Sequence, residues 1–167
     1  MSEKFVSQKF ISYGALPDWL AELSKNAEVY APRREGSSVV YRPYKAGTEL
    51  ELNERPTESA KHTIFPRAES LFTFKKGGDA EQPDNSSVSI QEAGDPGPAV
   101  VFGAPSCDAR GFFAFDPVYN GSGTRGEAKD VYYLKRRSQT TLIVRACRSA
   151  LVTCFCNWVG GGPASTQ

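Results

Sequence analysis

The sequence predicts an α/β fold: a mixed sheet with a βαβ unit and an irregular N-terminal α+β portion. Three observations predict it. Two short apolar runs read as strands: "PAVVFGAP" at 98–105, typical of a buried strand, and "TTLIVRAC" at 140–147. Between them, "SCDARGFFAFDPVY" reads as a helix start, with Asp108 in the first turn where a carboxylate favours the helix dipole. Residues before 98 instead mix one helical spacing with short alternating runs, which makes the first half irregular. Strand, helix, strand in that order suggests a βαβ unit with parallel strands.

The elements follow along the chain. "LPDWLAELSKN" places Leu16, Trp19, Leu20 and Leu23 at helical spacing, and Pro17 suits a first turn, so a helix is expected at about 17–26. "EVYAP" and "SSVVYRPY" alternate around the basic turn "PRREG" and read as strands. "LELNERPTESAKHTIFPRAE" is too polar and proline-broken for regular structure and reads as a long ordered loop. "ESLFTFK" reads as a half-buried strand, and "SVSIQEAGDPG" as a strand ending in a turn. Between these two, residues 76–87 read as a flexible insert or an exposed hairpin tip. "VYYLKRRS" follows the loop "NGSGTRGEAKD" as a stretch with no element assigned, and "GGGPASTQ" reads as loose. The expected organisation is one domain over 1–163 with a loose tail at 164–167.

Composition narrows the function classes. The 167 residues are 40% apolar and 23% charged, enough for one folded domain with its own core. A formal net charge of +1 supplies no electrostatic footprint for nucleic acid. No apolar run approaches membrane-spanning length, and "MSEKFVSQKF" lacks the apolar core of a signal peptide. The cytoplasm is the expected compartment, where thiols stay reduced and disulfides are disfavoured.

That compartment sharpens the reading of the four cysteines. Cys107 follows the carboxyl end of one predicted parallel strand, and Cys147 stands at the carboxyl end of the other. Those ends share one sheet edge, where open α/β sheets build their sites. Cys154 and Cys156 follow on a short loop, so all four thiols can converge. Four soft thiolates select zinc or an iron–sulfur cluster. The spacing C-x₆-C-x-C with a distant fourth cysteine matches neither a zinc ribbon nor a ferredoxin run. A cluster, a zinc site, a reactive thiol and four unrelated core cysteines all stay open on spacing alone.

Other features point less sharply. His62 is the single histidine, so a His-based metal site or a Ser/His triad would rest on it alone; it reads as a surface loop residue. Arg55, Lys61 and Arg67 surround Thr57, Glu58 and Ser59, a set able to cradle an anion; the plainer reading is a rigid loop that packs Ile64 and Phe65. Lys135, Arg136 and Arg137 form a basic patch, either solvated or docked against an acidic partner. "GGGP" at 160–163 lacks the spacing of a dinucleotide fingerprint.

The motifs "RPTES…FPRAESLFTFK", "VVFGAPSCDAR" and "DVYYLKRRS…TLIVRACRSALVTCFCNWVGGGP" occur in that order. Together they resemble the family of iron–sulfur electron-transfer subunits found in sulfhydrogenases, as the beta subunit, and in anaerobic sulfite reductases. The resemblance runs from about residue 55 to 163. It implies an electron-carrying subunit of an anaerobic multi-subunit oxidoreductase of the hydrogenase, sulfite reductase or heterodisulfide-reductase kind. It implies Cys107, Cys147, Cys154 and Cys156 as ligands of one cluster, [4Fe–4S] by ligand number, with Asp108 and Arg110 beside it. Its implied partners are a catalytic subunit and a flavin- or ferredoxin-type donor, with any flavin carried by the partner. Family members continue into two ferredoxin-type cysteine runs, and neither run occurs in these 167 residues. The resemblance therefore covers the family's N-terminal domain, and the dicluster domain is expected to be absent.

Two other functions compete. One is a structural or assembly subunit without a cofactor. The other is an enzyme using Cys107 as a thiolate nucleophile at a helix N-terminus, where its pKa would fall.

Overall fold

The computed structural model describes residues 9–77, 87–122 and 128–164. Most of the insert expected at 76–87, and residues 165–167 of the expected tail, lie outside the described residues.

Helix α1 spans Leu16–Leu23, with Pro17 and Asp18 in its first turn. Leu20 is fully buried on its inner face, and Trp19 meets Phe102 edge-on at 6.1 Å. The helix stops short of the expected residue 26 because Ser24 ends it. The Ser24 hydroxyl and N–H both donate to the Leu20 carbonyl, a local bond that competes with further helix.

Strands β1 (Glu28–Glu35) and β2 (Ser38–Pro43) form an antiparallel hairpin that turns at Gly36, whose φ is +59°. Strand β3 (Phe72–Gly77) pairs antiparallel with β4 (Ser87–Glu92) as a separate two-stranded sheet. Every residue of β3 and β4 is exposed, which corrects the expectation of a half-buried strand at 69–75. Alternation at Phe72 and Phe74 sets which face is apolar; nothing in local sequence decides whether a neighbour covers it.

Strand β5 (Ala99–Pro105) leads into α2 (Ser106–Tyr119), and β6 (Thr140–Arg145) lies parallel to β5. The predicted βαβ unit is present. Strand β1 also runs parallel to β5, so the main sheet is mixed, with order β2-β1-β5-β6. "VYYLKRRS" forms a further helix, α3 (Val131–Gln139), that its polar composition conceals. Asp130 caps it by accepting the Tyr133 N–H at 2.9 Å, and Arg136 and Arg137 favour its C-terminal dipole. Of "LKRRS", the two arginines are drawn into ion pairs with the body, while Lys135 stays at the surface. Arg136 pairs with Glu69, Arg137 with Asp116 at 3.1 Å, and Lys135 with Asp95 at 3.4 Å.

The sheet is covered on both faces. Alternate β5 residues separate the two cores, with Val100 and Phe102 facing α1 and Val101 facing α2 and α3. The second core joins Tyr41, Ile64, Phe112 and Tyr133, all buried. Ile64 arrives from the long loop, which is ordered as expected and contains a 3₁₀ turn, Ala60–Thr63. Phe65 stays 44% exposed, so of the two residues expected to pack from this loop only Ile64 is fully in the core. His62 sits in that turn, its Nδ1 2.9 Å from the Ser59 carbonyl. Among the described residues no helix is long and apolar enough to cross a membrane.

Candidate functional site

Parallel pairing brings the first two cysteines together. The β5–β6 ladder ends with Pro105 opposite Arg145. Cys107 and Cys147 each follow two residues later, so they leave the same sheet edge side by side. The register shifts at Gly103, between Phe102 and Ala104. Its φ of +78° favours glycine, and a Cβ there would meet Leu52 at 3.2 Å and Pro32 at 3.4 Å. Such a bulge re-aims a strand end, and it puts Ala104 into the same core as Val101.

The other two cysteines arrive on a returning loop. Cys156 opens a 3₁₀ turn, Cys156–Val159, which Gly160 closes with a φ of +69°. Three bonds fold the loop back on the sheet edge. Cys147 N–H donates to the Pro163 carbonyl at 2.9 Å, Ser106 Oγ to the Gly162 carbonyl at 2.8 Å, and Arg110 Nη1 to the Gly160 carbonyl at 2.9 Å. The stretch 160–163 is therefore a clasp, which corrects the expectation that it is loose. The motif looks unstructured in sequence because its bonds go to residues far away along the chain.

All four thiols line one cavity of about 220 Å³, and all four are free. Arg55 and Arg110 share its wall, with no histidine or carboxylate on it. Arg55 Nη1 donates to Cys154 Sγ at 2.9 Å, and Nη2 to Cys147 Sγ at 3.6 Å. The Leu151 N–H donates to Cys154 Sγ at 3.1 Å. That N–H, and then Arg55, hold the Cys154 thiol below its ordinary pKa. Cys107 moves the other way: desolvation, then the Asp108 carboxylate, push its thiol up despite its place in the first turn of α2. This corrects the expected fall in pKa and removes the main support for Cys107 as a nucleophile.

The remaining expected residues divide. Arg110 lines the cavity and holds the clasp. Asp108 does not line it; its Oδ2 accepts the Ala60 N–H at 3.2 Å and pins the 50–69 loop to α2. Arg55, absent from the expected cofactor contacts, is the basic group nearest the sulfurs. The anion cradle does not form, because its three members part company. Arg55 turns to the cysteines, Lys61 lies 5.3 Å from the Phe115 ring centre, and Arg67 pairs with Glu58 at 2.9 Å. Spacing carries no trace of Arg55's role, since its sulfur partners lie 92 and 99 residues away.

The donor set can be tested against the groups it is suited to hold. Tetrahedral zinc, with Zn–S near ~2.3 Å, needs its sulfurs within roughly 4 Å of one another. Among the described residues, no three His, Cys, Asp or Glu side chains gather closely enough to hold one metal ion. A cluster makes a looser demand, because its thiolates bind different irons across a wider body. Four thiols around one cavity, with N–H donors aimed at two of them, are soft donors in the number a cluster takes.

No family model matches the chain, and no solved structure matches it. Over 146 residues it is 27% identical to sulfhydrogenase 2 subunit beta of Pyrococcus furiosus. The match takes in 86% of this chain and 38% of that subunit, so the chain spans well under half the length of the relative. The chain is a distant relative of a sulfhydrogenase beta subunit.

Proposed function

We propose that this chain is an electron-transfer subunit of a multi-subunit oxidoreductase, and that Cys107, Cys147, Cys154 and Cys156 hold one iron–sulfur cluster, [4Fe–4S] in type. One observation carries the reading: four cysteines from three separated segments line one cavity at the carboxyl edge of the parallel strands. The distant relation to a hydrogenase subunit favours the hydrogenase kind of complex, whose partners would be a catalytic subunit and a flavin- or ferredoxin-type donor.

When bound, such a cluster accepts and releases single electrons. The chain's own residues set the conditions. The β5–β6 register holds Cys107 and Cys147 in place, and the 160–163 clasp returns Cys154 and Cys156 to them. Arg55 places positive charge and two N–H donors on the sulfurs, which favours the more negative, reduced state and raises the potential. Arg110 acts on the clasp through the Gly160 carbonyl.

The test is anaerobic reconstitution followed by iron, sulfide and visible-absorption analysis. The expected result is a brown protein with about four irons and four sulfides per chain. Cys154→Ser and Cys156→Ser lose most of both. A colourless product without iron overturns the reading and leaves the alternative of a structural subunit.

A further inference from the structure

Among the described residues, the arginines fall into two sets. Arg33, Arg34, Arg42, Arg67, Arg136 and Arg137 each contact a carboxylate. Arg55, Arg110, Arg145 and Arg148 contact none, and these four surround the thiol cavity and the depression beside it. Arg145 donates to the main-chain carbonyls of Leu52 and Glu54, which leaves its charge in place. The Glu54 carboxylate, beside that depression, is taken by Arg34.

The same rim is apolar. Between residues 151 and 159, Leu151, Val152, Phe155, Trp158 and Val159 are all exposed, Trp158 by 90%. Single exposed apolar residues are ordinary, but five within nine residues of one loop are a local concentration of exposed apolar side chains. Trp and Arg are the residue types that anchor protein interfaces, and uncompensated positive charge selects an acidic surface.

We infer that this rim docks an acidic redox protein, with Trp158, Val152 and Phe155 at the apolar centre and Arg148 and Arg145 facing the partner's carboxylates. The inference rests on the electron-carrying reading above and adds the chemistry of the partner. One electron crosses and no bond forms. The partner's centre would lose it as a cluster held by the four thiols gained it, or the reverse. Unpaired cations speed such an encounter and make it depend on salt.

The test is calorimetric titration of the anaerobically reconstituted full chain with a purified plant-type [2Fe–2S] ferredoxin as the acidic probe and cytochrome c as a basic control. Ferredoxin is expected to bind, roughly tenfold more weakly at about 200 mM than at about 50 mM salt. Arg148→Glu and Trp158→Ser each weaken binding by about tenfold or more. Val152→Asp weakens it while iron and sulfide content stays at the wild-type level. Cytochrome c does not bind. Ferredoxin binding that ignores salt or these substitutions, a preference for cytochrome c, or a dimer that buries Trp158 overturns the inference. The two readings fail separately. Iron-loaded protein that ignores ferredoxin removes the docking surface and keeps the electron carrier. Iron-free protein that binds ferredoxin keeps the surface and removes the electron exchange.

Discussion

The body of the fold and the cysteine loop handle the same residue types in opposite ways. Away from the thiol cavity, guanidinium groups meet carboxylates, and large apolar side chains of the main-sheet core such as Phe112 and Tyr133 are buried. Around the thiol cavity, guanidinium groups meet sulfur and main-chain carbonyls, and Phe155 and Trp158 stand in solvent. A paired surface arginine contributes little and leaves almost no net field. An unpaired one beside a cavity keeps its field for whatever enters or docks. The body is built to be self-sufficient, and the loop is built around something additional.

That contrast can be broken from either side. The largest expected effect lies in the body. Phe112→Ala opens the core between the sheet and α2 and costs about 3–5 kcal/mol, read as a lowered urea midpoint. The matching loop change, Trp158→Ser, is expected to leave that midpoint within about 0.5 kcal/mol.

Gly103→Val joins the two regions. It strains a left-handed backbone position by about 1–2 kcal/mol and presses on Leu52 and Pro32. The same change shifts the strand end that carries Cys107. Stability and iron content are therefore expected to fall together, whereas Phe112→Ala lowers stability alone while the protein remains folded.

Arg55→Gln sharpens the comparison on the loop side. Potentiometry of the reconstituted protein is expected to show a potential lowered by some tens of millivolts, on the order of 1 kcal/mol of hydrogen bonding to sulfur. Arg34→Gln, in the body, removes exposed ion pairs to Glu51 and Glu54 and is expected to leave both the urea midpoint and the potential essentially unchanged.

The smallest effect is one of order. In metal-free, reduced protein, the thiol with the depressed pKa supplies more thiolate at a given pH. Cys154 is therefore expected to alkylate at lower pH than Cys107, whose pKa is raised. Mass spectrometry of pulse-alkylated protein across a pH series reads this directly, and Cys107 reacting first would contradict the cavity electrostatics.

Much of the fold and part of the site are legible in the sequence. The runs at 98–105 and 140–147 announce two parallel strands; the first is continuously apolar because β5 is buried on both faces, whereas β6, an edge strand, has no fully buried residue. Their shared edge places Cys107 and Cys147 together. Helix α3 is not legible, because its buried stripe is thin and its arginines are spent on Glu69 and Asp116. The hairpin β3–β4 reads as half-buried although it is exposed, because alternation is the same whether or not the apolar face is covered.

The sequence alone determined the class of sheet, the edge from which Cys107 and Cys147 emerge and the two further thiols on the loop that follows. These follow from local periodicity and from parallel topology, which act over a few residues or one crossover. Only the tertiary structure decided that Arg55 reaches Cys154 and Cys147, that Gly160–Pro163 closes the loop, and that four arginines are left without carboxylates. Those pairings join residues tens of positions apart, and which partner a charged or polar side chain finds depends on what the completed fold sets beside it.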